Sequence, residues 1–191
     1  MNTKANQYIK RETALLIALM AMFVGFIGGV VFGAFQFKTV APPAHNQPEE
    51  SAKNEAVERA KAETLKNPKN FSAWVQLGNL YFDHGDNSDA IDAYVKALAI
   101  SPNNANVLTD LGVMYRRNGD PEKAVETFDK AIAADPKHEQ SRFNKGIVLL
   151  HDLNKKEEAI KAWKGLTDIN PMAMAGNGLS VDELIRKFQS E

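Results

Sequence analysis

One pattern of residues occurs twice in this chain, at a spacing of 34 residues. Each copy combines apolar positions at helical spacing with a glycine and a closing proline. A fixed period of this size is typical of a solenoid in which every repeat is a pair of helices. One helix pair cannot bury its apolar face alone, so the pattern restricts the fold to stacked pairs. The two copies are Trp74, Leu77, Gly78, Tyr81, Ala90, Tyr94, Ala97, Pro102 and Leu108, Leu111, Gly112, Tyr115, Ala124, Phe128, Ala131, Pro136.

These signature residues resemble the tetratricopeptide repeat, and the resemblance covers residues 71–173. A third copy keeps Gly146 and Trp163 but carries Arg142 and Lys145 at positions that are apolar in the first two. Its inter-helix turn is one residue longer, which displaces its second helix by one position. The resemblance implies an all-α fold, a right-handed α-solenoid of three helix pairs at 71–104, 105–138 and 139–173.

Glycines in the middle of predicted helices indicate close helix crossings. Gly78 and Gly112 each cost about 1 kcal/mol relative to alanine at such positions. The cost is explained if the paired helix leaves no room for a side chain. In the turn of the second repeat, we expect Gly119 to be left-handed, Asp120 to cap the next helix and Pro121 to open it.

Two further helices are expected to flank the repeats. Residues 51–68 read as a half-repeat helix that covers the exposed edge of the first pair; the alternative is a charged helix that packs on nothing. Residues 179–190 begin with a capping box from Ser180 to Glu183. An apolar stripe on this last helix suits it to cover the other end of the solenoid.

A long uncharged segment at residues 13–37 predicts a membrane anchor. Its apolar run would span about 33 Å as a helix, close to the thickness of a bilayer core. The short tail 1–12 is basic, which favours a cytoplasmic N-terminus and a translocated remainder. A cleavable signal peptide is the competing interpretation, although its apolar region is usually shorter, about 7–15 residues. The proline-rich stretch 38–50 is expected to be a linker that lifts the repeats off the membrane.

Three glycines of the predicted anchor, Gly25, Gly29 and Gly33, fall four residues apart on one helix face. Such a face allows a second membrane helix to approach closely, giving a homo- or hetero-oligomer. The alternative is that glycine is simply common in membrane helices.

Composition argues against several classes of function. The chain has no cysteine and a formal net charge of -1. We therefore expect no thiol chemistry, no disulfide and no nucleic-acid partner. The four histidines are scattered without metal-ligand spacing, and no glycine-rich phosphate loop occurs in the repeats. We expect no catalytic residue, no metal and no cofactor.

The resemblance implies that the first helix of each repeat lines a concave groove that binds a protein or peptide. Within it, an apolar strip and the adjacent pair Arg116 and Arg117 suggest a partner that carries an acidic group. Chaperone-binding members use a carboxylate clamp; Asn79 fits one clamp position, but Val75 replaces a lysine. The C-terminal helix or the linker could instead cover part of the groove. The candidate groove residues are Val75, Asn79, Phe82, Asn106, Thr109, Val113, Arg116, Arg117, Phe143, Ile147 and Leu150.

The order of segments predicts a single-pass scaffold of the bacterial inner membrane, with the repeats in the periplasm. In this layout the chain resembles membrane-anchored tetratricopeptide proteins of bacterial envelopes, which include cytochrome c assembly factors. Two alternatives remain open: an assembly factor for c-type cytochromes or another exported envelope complex, and a structural subunit docked through its glycine-lined anchor.

Overall fold

The computed structural model describes residues 47–176 and 178–190, and within them the fold is all-α. The eight helices of these residues are α1 Gln47–Lys66, α2 Phe71–His84, α3 Asn87–Ile100, α4 Ala105–Arg117, α5 Pro121–Ala134, α6 Glu139–His151, α7 Lys156–Thr167 and α8 Val181–Ser190.

The helices from α2 to α8 pack in chain order, each against the next, and α4 also contacts α6. This is the neighbour-to-neighbour arrangement expected of a helix-pair solenoid. Helices α2 and α3 lie within residues 71–104, the range predicted for the first helix pair. The second helix of the third pair begins at Lys156, one residue beyond the position that the 34-residue period gives, as the longer turn predicted.

Each helix pair is fixed by a glycine that receives an aromatic ring. A Cβ on Gly78 would lie 2.5 Å from Cε1 of Tyr94, and a Cβ on Gly112 would lie 2.6 Å from Cε1 of Phe128. Gly146 meets Trp163 in the same way. The predicted close crossings are confirmed, and their cause is a ring that occupies the space of the missing side chain.

The turns inside the helix pairs use left-handed residues. Gly85 and Gly119 have positive φ, and the next residue donates its N–H back into the helix, Asp120 to Tyr115 O at 2.9 Å. Asp120 makes no side-chain cap, contrary to expectation; its carboxylate accepts a hydrogen bond from Asn118 instead. In the third pair Asn154, with φ 52°, takes the left-handed place.

Helix α1 begins at Gln47, so the predicted linker 38–50 is helical at its C-terminal end. Pro48 is tolerated there because the first turn of a helix needs no backbone donor. Val57 and Ala60 are buried in one apolar core with Leu77 of the first repeat. Helix α1 therefore packs on the first helix pair; that it represents half of a repeat stays a prediction.

The C-terminal helix α8 packs on α7. Its start is the predicted capping box: Ser180 N–H donates to Glu183 Oε2 at 2.8 Å, and Glu183 N–H donates to Ser180 Oγ at 3.2 Å. Val181, Leu184 and Ile185 are buried with Trp163 in a second apolar core. The last helix thus covers the end of the third repeat.

The predicted tail 1–12, the membrane segment 13–37 and the contact residues Gly25, Gly29 and Gly33 lie outside the described residues. Among the helices that the structure does describe, none combines the length and apolar character needed to cross a bilayer.

Candidate functional site

The first helices of the three pairs, α2, α4 and α6, begin with equivalent caps. The side chains of Asn70, Asn104 and His138 each accept a hydrogen bond from the backbone N–H three residues on, at 3.2, 3.1 and 3.4 Å. These caps recur with the 34-residue period and satisfy donors that a helix start leaves free. They fix the start of every helix that carries predicted groove residues.

A cleft of about 250 Å³ lies between α2, α3 and α4. Its walls include the predicted groove residues Asn79 and Phe82. Tyr94, from the second helix of the pair, forms part of the lining, and its hydroxyl donates to Asn79 Oδ1 at 2.8 Å. The same ring packs against Gly78, so one tyrosine joins the helix crossing to the cleft. Asp83 and Asp110 complete the lining.

The cleft has an acidic character. Asp83 and Asp110 form no salt bridge with any residue that the structure describes. Burial raises the pKa of the Asp110 carboxyl, and the nearby His138 lowers it by a smaller amount. Burial also raises the pKa of Tyr94, and the charges of Asp110 and Asp83 raise it further. The two carboxylates give the cleft two negative charges, and Arg117, which lies over Phe82, partly offsets them.

The two predicted groove arginines have different partners. Arg116 donates through Nε to Asp152 Oδ2 at 2.5 Å and through a terminal nitrogen to Oδ1 at 3.4 Å. Its guanidinium thus already holds a carboxylate of this chain, from the turn after α6. Arg117 instead lies over the ring of Phe82, with Cζ 4.3 Å from the ring centroid. The structure does not bring the two together as a joint carboxylate grip.

Thr109 lies in a polar network between α4 and α6. It is 1% exposed, and its hydroxyl lies 2.7 Å from Ala105 O and 2.6 Å from Ser141 Oγ. His138 extends the network, with Nδ1 2.7 Å from Ser141 Oγ and Nε2 2.9 Å from Asn106 Oδ1. Thr109 was expected on the groove surface; the structure places it inside the helix interface, where it joins two repeats.

The predicted apolar strip divides between two cores. Phe143, Ile147 and Leu150 pack against the core that α8 completes. At this end of the solenoid the C-terminal helix covers the strip, which is the self-coverage alternative. The other strip residues, Val75, Phe82 and Val113, pack against the core of the first repeats and remain partly exposed.

Sequence reasoning missed three residues that shape this face: Tyr94, His138 and Asp152. Tyr94 was assigned only to packing, although a buried tyrosine hydroxyl needs a hydrogen-bond partner. The caps at Asn70 and Asn104 give a signal for His138, since it follows them by the same period. Nothing local to Asp152 marks it as the partner of Arg116. Over residues 47–176 and 178–190, no three His, Cys, Asp or Glu side chains gather as metal ligands.

Family comparison identifies the repeats. Residues 78–119 match the family described as "TPR repeat", and residues 105–138 match "Tetratricopeptide repeat". Residues 78–138 therefore carry tetratricopeptide repeats, as the resemblance predicted for this part of the chain. No curated protein sequence gave a significant match.

Solved structures share the fold. A crystal structure of MamA protein superposes with a TM-score of 0.64 at 19% identity, covering 76% of this chain and 78% of that one. A second MamA crystal structure gives 0.60 at 21% identity, covering 69% and 76%. The first TPR domain of Spaghetti (RPAP3), solved with the HSP90 peptide SRMEEVD, gives 0.55 at 24% identity and covers 63% of this chain and 90% of that one.

Proposed function

We propose that this chain is a scaffold, held in the inner membrane by its N-terminal segment, that binds a protein or peptide partner through the face formed by α2, α4 and α6. The observation that carries the proposal is the cleft at Phe82, where two carboxylates without salt-bridge partners among the described residues flank an aromatic face. Tetratricopeptide domains bind polypeptides, as the domain solved with an HSP90 peptide does.

The cleft favours a partner segment with a basic side chain over the acidic one expected from Arg116 and Arg117. Phe82 stacks with the guanidinium of Arg117, which shows that an aromatic ring at this position holds a cation; a basic side chain of the partner would replace Arg117 there. Asp83 and Asp110 supply negative charge to the same cleft. Asp110 is held there although burial disfavours its charged form, which fits a residue kept for binding rather than for stability. An acidic ligand would meet these two charges and would compete with Asp152 for Arg116.

Anchoring would place this cleft of about 250 Å³ close to the membrane. The basic tail, the uncharged segment 13–37 and the proline-rich stretch after it support a periplasmic position for the repeats. Tethering raises the effective concentration of a partner near the membrane, so the groove itself need not bind tightly.

A photocrosslinking residue placed at Gln76 tests the binding face. Gln76 is an exposed residue of α2, one helical turn from the cleft residue Asn79. The matched control is the same residue at Lys130, which is exposed on α5. Position 76, in intact membranes, should give a discrete adduct that position 130 does not give. The double change Asp83→Asn and Asp110→Asn should reduce the adduct severalfold, and the same adducts from both positions would contradict the proposal.

The topology has its own test. A reporter that is active only outside the cytoplasm, fused after Glu191, should be active in cells. An inactive fusion that is stably produced would place the repeats on the cytoplasmic side and would overturn the periplasmic assignment, while leaving the binding face untouched.

The order of segments also fits an assembly factor for c-type cytochromes or another exported complex. This alternative predicts that a peptide carrying a CxxCH motif binds the face that Gln76 reports, whereas a peptide with both cysteines replaced by serine does not. A third alternative is a structural subunit that is held in its complex by the membrane anchor. In that case Gly29→Leu would release the protein from its complex, whereas Asp110→Asn would not.

A further inference from the structure

The third repeat departs from the apolar signature at two positions that share one cleft. Arg142 and Lys145 stand where Trp74 and Leu77 stand in the first repeat. Both line a cleft of about 270 Å³ between α5, α6 and α7. On α6 they share a helix face with Leu149, at spacings of three and four residues. The predicted groove residues of α6 form a different stripe, so this cleft is separate from the proposed binding face.

The first repeat contains an equivalent cleft, of about 300 Å³, which shows what has changed. There Trp74 Nε1 donates to Pro68 O at 2.9 Å, and Lys96 Nζ lies 4.6 Å from the centre of a Trp74 ring. In the third repeat Arg142 donates to Pro136 O at 2.8 Å. The arginine therefore takes over the hydrogen bond of the tryptophan and brings a positive charge into a site that is aromatic in the first repeat.

A second change makes room for that charge. Gly165 stands at the position of Lys96, once the longer turn of the third repeat is counted. A Cβ on Gly165 would lie 3.1 Å from a terminal nitrogen of Arg142. A lysine there would crowd the guanidinium and place a second cation beside it. In the first repeat the cation of this pair is Lys96, on the second helix. In the third repeat it is Arg142, on the first helix, and Gly165 stands in place of the lysine.

The charges of the cleft are incompletely paired. Lys145 Nζ lies 2.5 Å from Asp129 Oδ1, and Glu158 lies 3.8 Å from Lys155. Arg142 and Lys161 have no carboxylate partner within the part of the chain that the structure describes. The Nε atom of Arg142 is buried without a hydrogen-bond partner. A buried N–H group without an acceptor destabilises the folded protein, and a ligand that offers an acceptor to the guanidinium would offset this cost.

The remaining lining of the cleft is apolar. Leu149 is 1% exposed at its base, and Ile132 and Ala162 are half-buried beside it. A ligand that fits must therefore combine an apolar group with a negative charge. Three cations and two carboxylates leave one net positive charge, which a single carboxylate neutralises and a doubly charged phosphate does not. The charged side chains are Asp129, Arg142, Lys145, Glu158 and Lys161.

We propose that this cleft is a second docking site, which binds a partner polypeptide through an acidic residue that adjoins an aromatic or large aliphatic residue. The carboxylate pairs with Arg142 and Lys161, and the apolar neighbour covers Ile132 and Leu149. The site is independent of the proposed binding face, where the cleft at Phe82 has the opposite charge. A scaffold with two sites of opposite charge would hold two segments of a partner, or two partners, at once.

The probes are two short peptides, N-acetyl-Phe-Glu-amide and its neutral isostere N-acetyl-Phe-Gln-amide. Nuclear magnetic resonance titration of the full chain should show saturable shifts at the backbone amides of Lys145, Leu149 and Lys161 with the acidic peptide. The neutral peptide should bind roughly fivefold more weakly, since one charge-assisted contact is lost. Lys161→Gln should give a similar loss, and because Lys161 is exposed this variant tests the site without endangering the fold.

The matched control is Lys96→Gln, which removes one of the two lysines of the equivalent cleft in the first repeat and should leave binding unchanged. Equal affinity for the two peptides, or full binding by Lys161→Gln, would overturn the proposal. Equal shifts on addition of inorganic phosphate alone would also overturn it, because they would mark a general anion site. None of these outcomes bears on the crosslinking result at Gln76, so the two proposals fail separately.

Discussion

Trp163 lies against Gly146 across the third helix pair, where the indole fills the space that any side chain at residue 146 would need. The indole N–H also donates to Phe143 O at 3.1 Å, one turn earlier on α6. The equivalent pairs of the first two repeats, Gly78 with Tyr94 and Gly112 with Phe128, lack this backbone bond. The glycine thus determines how closely the two helices of a pair approach.

Gly112→Ala should lower the free energy of unfolding by up to about 2 kcal/mol. Overpacking against Phe128 costs about 1–3 kcal/mol, and the better helix propensity of alanine returns about 1. Gly146→Ala should cost more, because it also displaces the hydrogen bond of Trp163. Urea denaturation followed by circular dichroism measures both changes. Gly176→Ala, which meets no atom within 4 Å, is the control, and an equal effect there would contradict the packing explanation.

Tyr94→Phe should cost about 0.5–1.5 kcal/mol, the value of one hydrogen bond, because the ring still fills its place against Gly78. It should also change the response to alkaline pH. Burial, together with Asp110 and Asp83, raises the pKa of Tyr94, whereas tyrosine in the unfolded chain ionises at about 10. The neutral phenol therefore contributes stability below this pH, and that contribution is lost as the pH rises. Denaturation midpoints between about pH 9 and 11 should fall less steeply in the variant; parallel curves would refute this.

Arg116 and Asp152 should couple the second repeat to the third by about 0.5–1 kcal/mol. The pair is roughly one-third exposed, so solvent screening limits its contribution. A double-mutant cycle with Arg116→Ala and Asp152→Ala isolates the interaction. The coupling should decrease at high salt. The more exposed pair Arg59–Glu55, within one helix, serves as the control and should give a smaller coupling; a larger value there would count against a tie between the repeats.

His138→Asn should preserve stability, because asparagine is the residue that caps the equivalent helices at Asn70 and Asn104. His138→Ala should lose about 1 kcal/mol, the usual value of a helix cap. Thermal unfolding of the two variants side by side makes the comparison. If both lose stability equally, the contact of His138 with Asn106 matters more than the cap.

The sequence predicted well what is periodic and local. The structure confirms three predictions that rest on the repeat period or on adjacent residues. They are the close crossings at Gly78 and Gly112, the longer turn of the third repeat and the capping box at Ser180. Contacts between repeats were harder to predict. Thr109 occupies a position of α4 that was expected to face the groove. It is buried instead, because its hydroxyl forms a hydrogen bond with Ser141 on α6. The partner of Arg116 lies 36 residues away, in a turn whose geometry the period does not fix.

The role of Arg142 could not be predicted from the sequence either. In the sequence, an arginine at the position of Trp74 shows only that the third repeat matches the repeat pattern less well. Only its hydrogen bond to Pro136, matched to that of Trp74, shows that the repeat geometry is retained while the chemistry of the cleft changes.

Because the helices from α2 to α8 contact chiefly their neighbours in the chain, the domain responds to mechanical load like a stack. A pull applied at Glu50, with a partner held near Phe82, would act first on α1 and its contacts through Val57 and Ala60. Helices α6 to α8 lie outside the path between these two points and would carry no load. The end nearest the predicted membrane segment would yield first, and a partner docked beside α7 would stay bound.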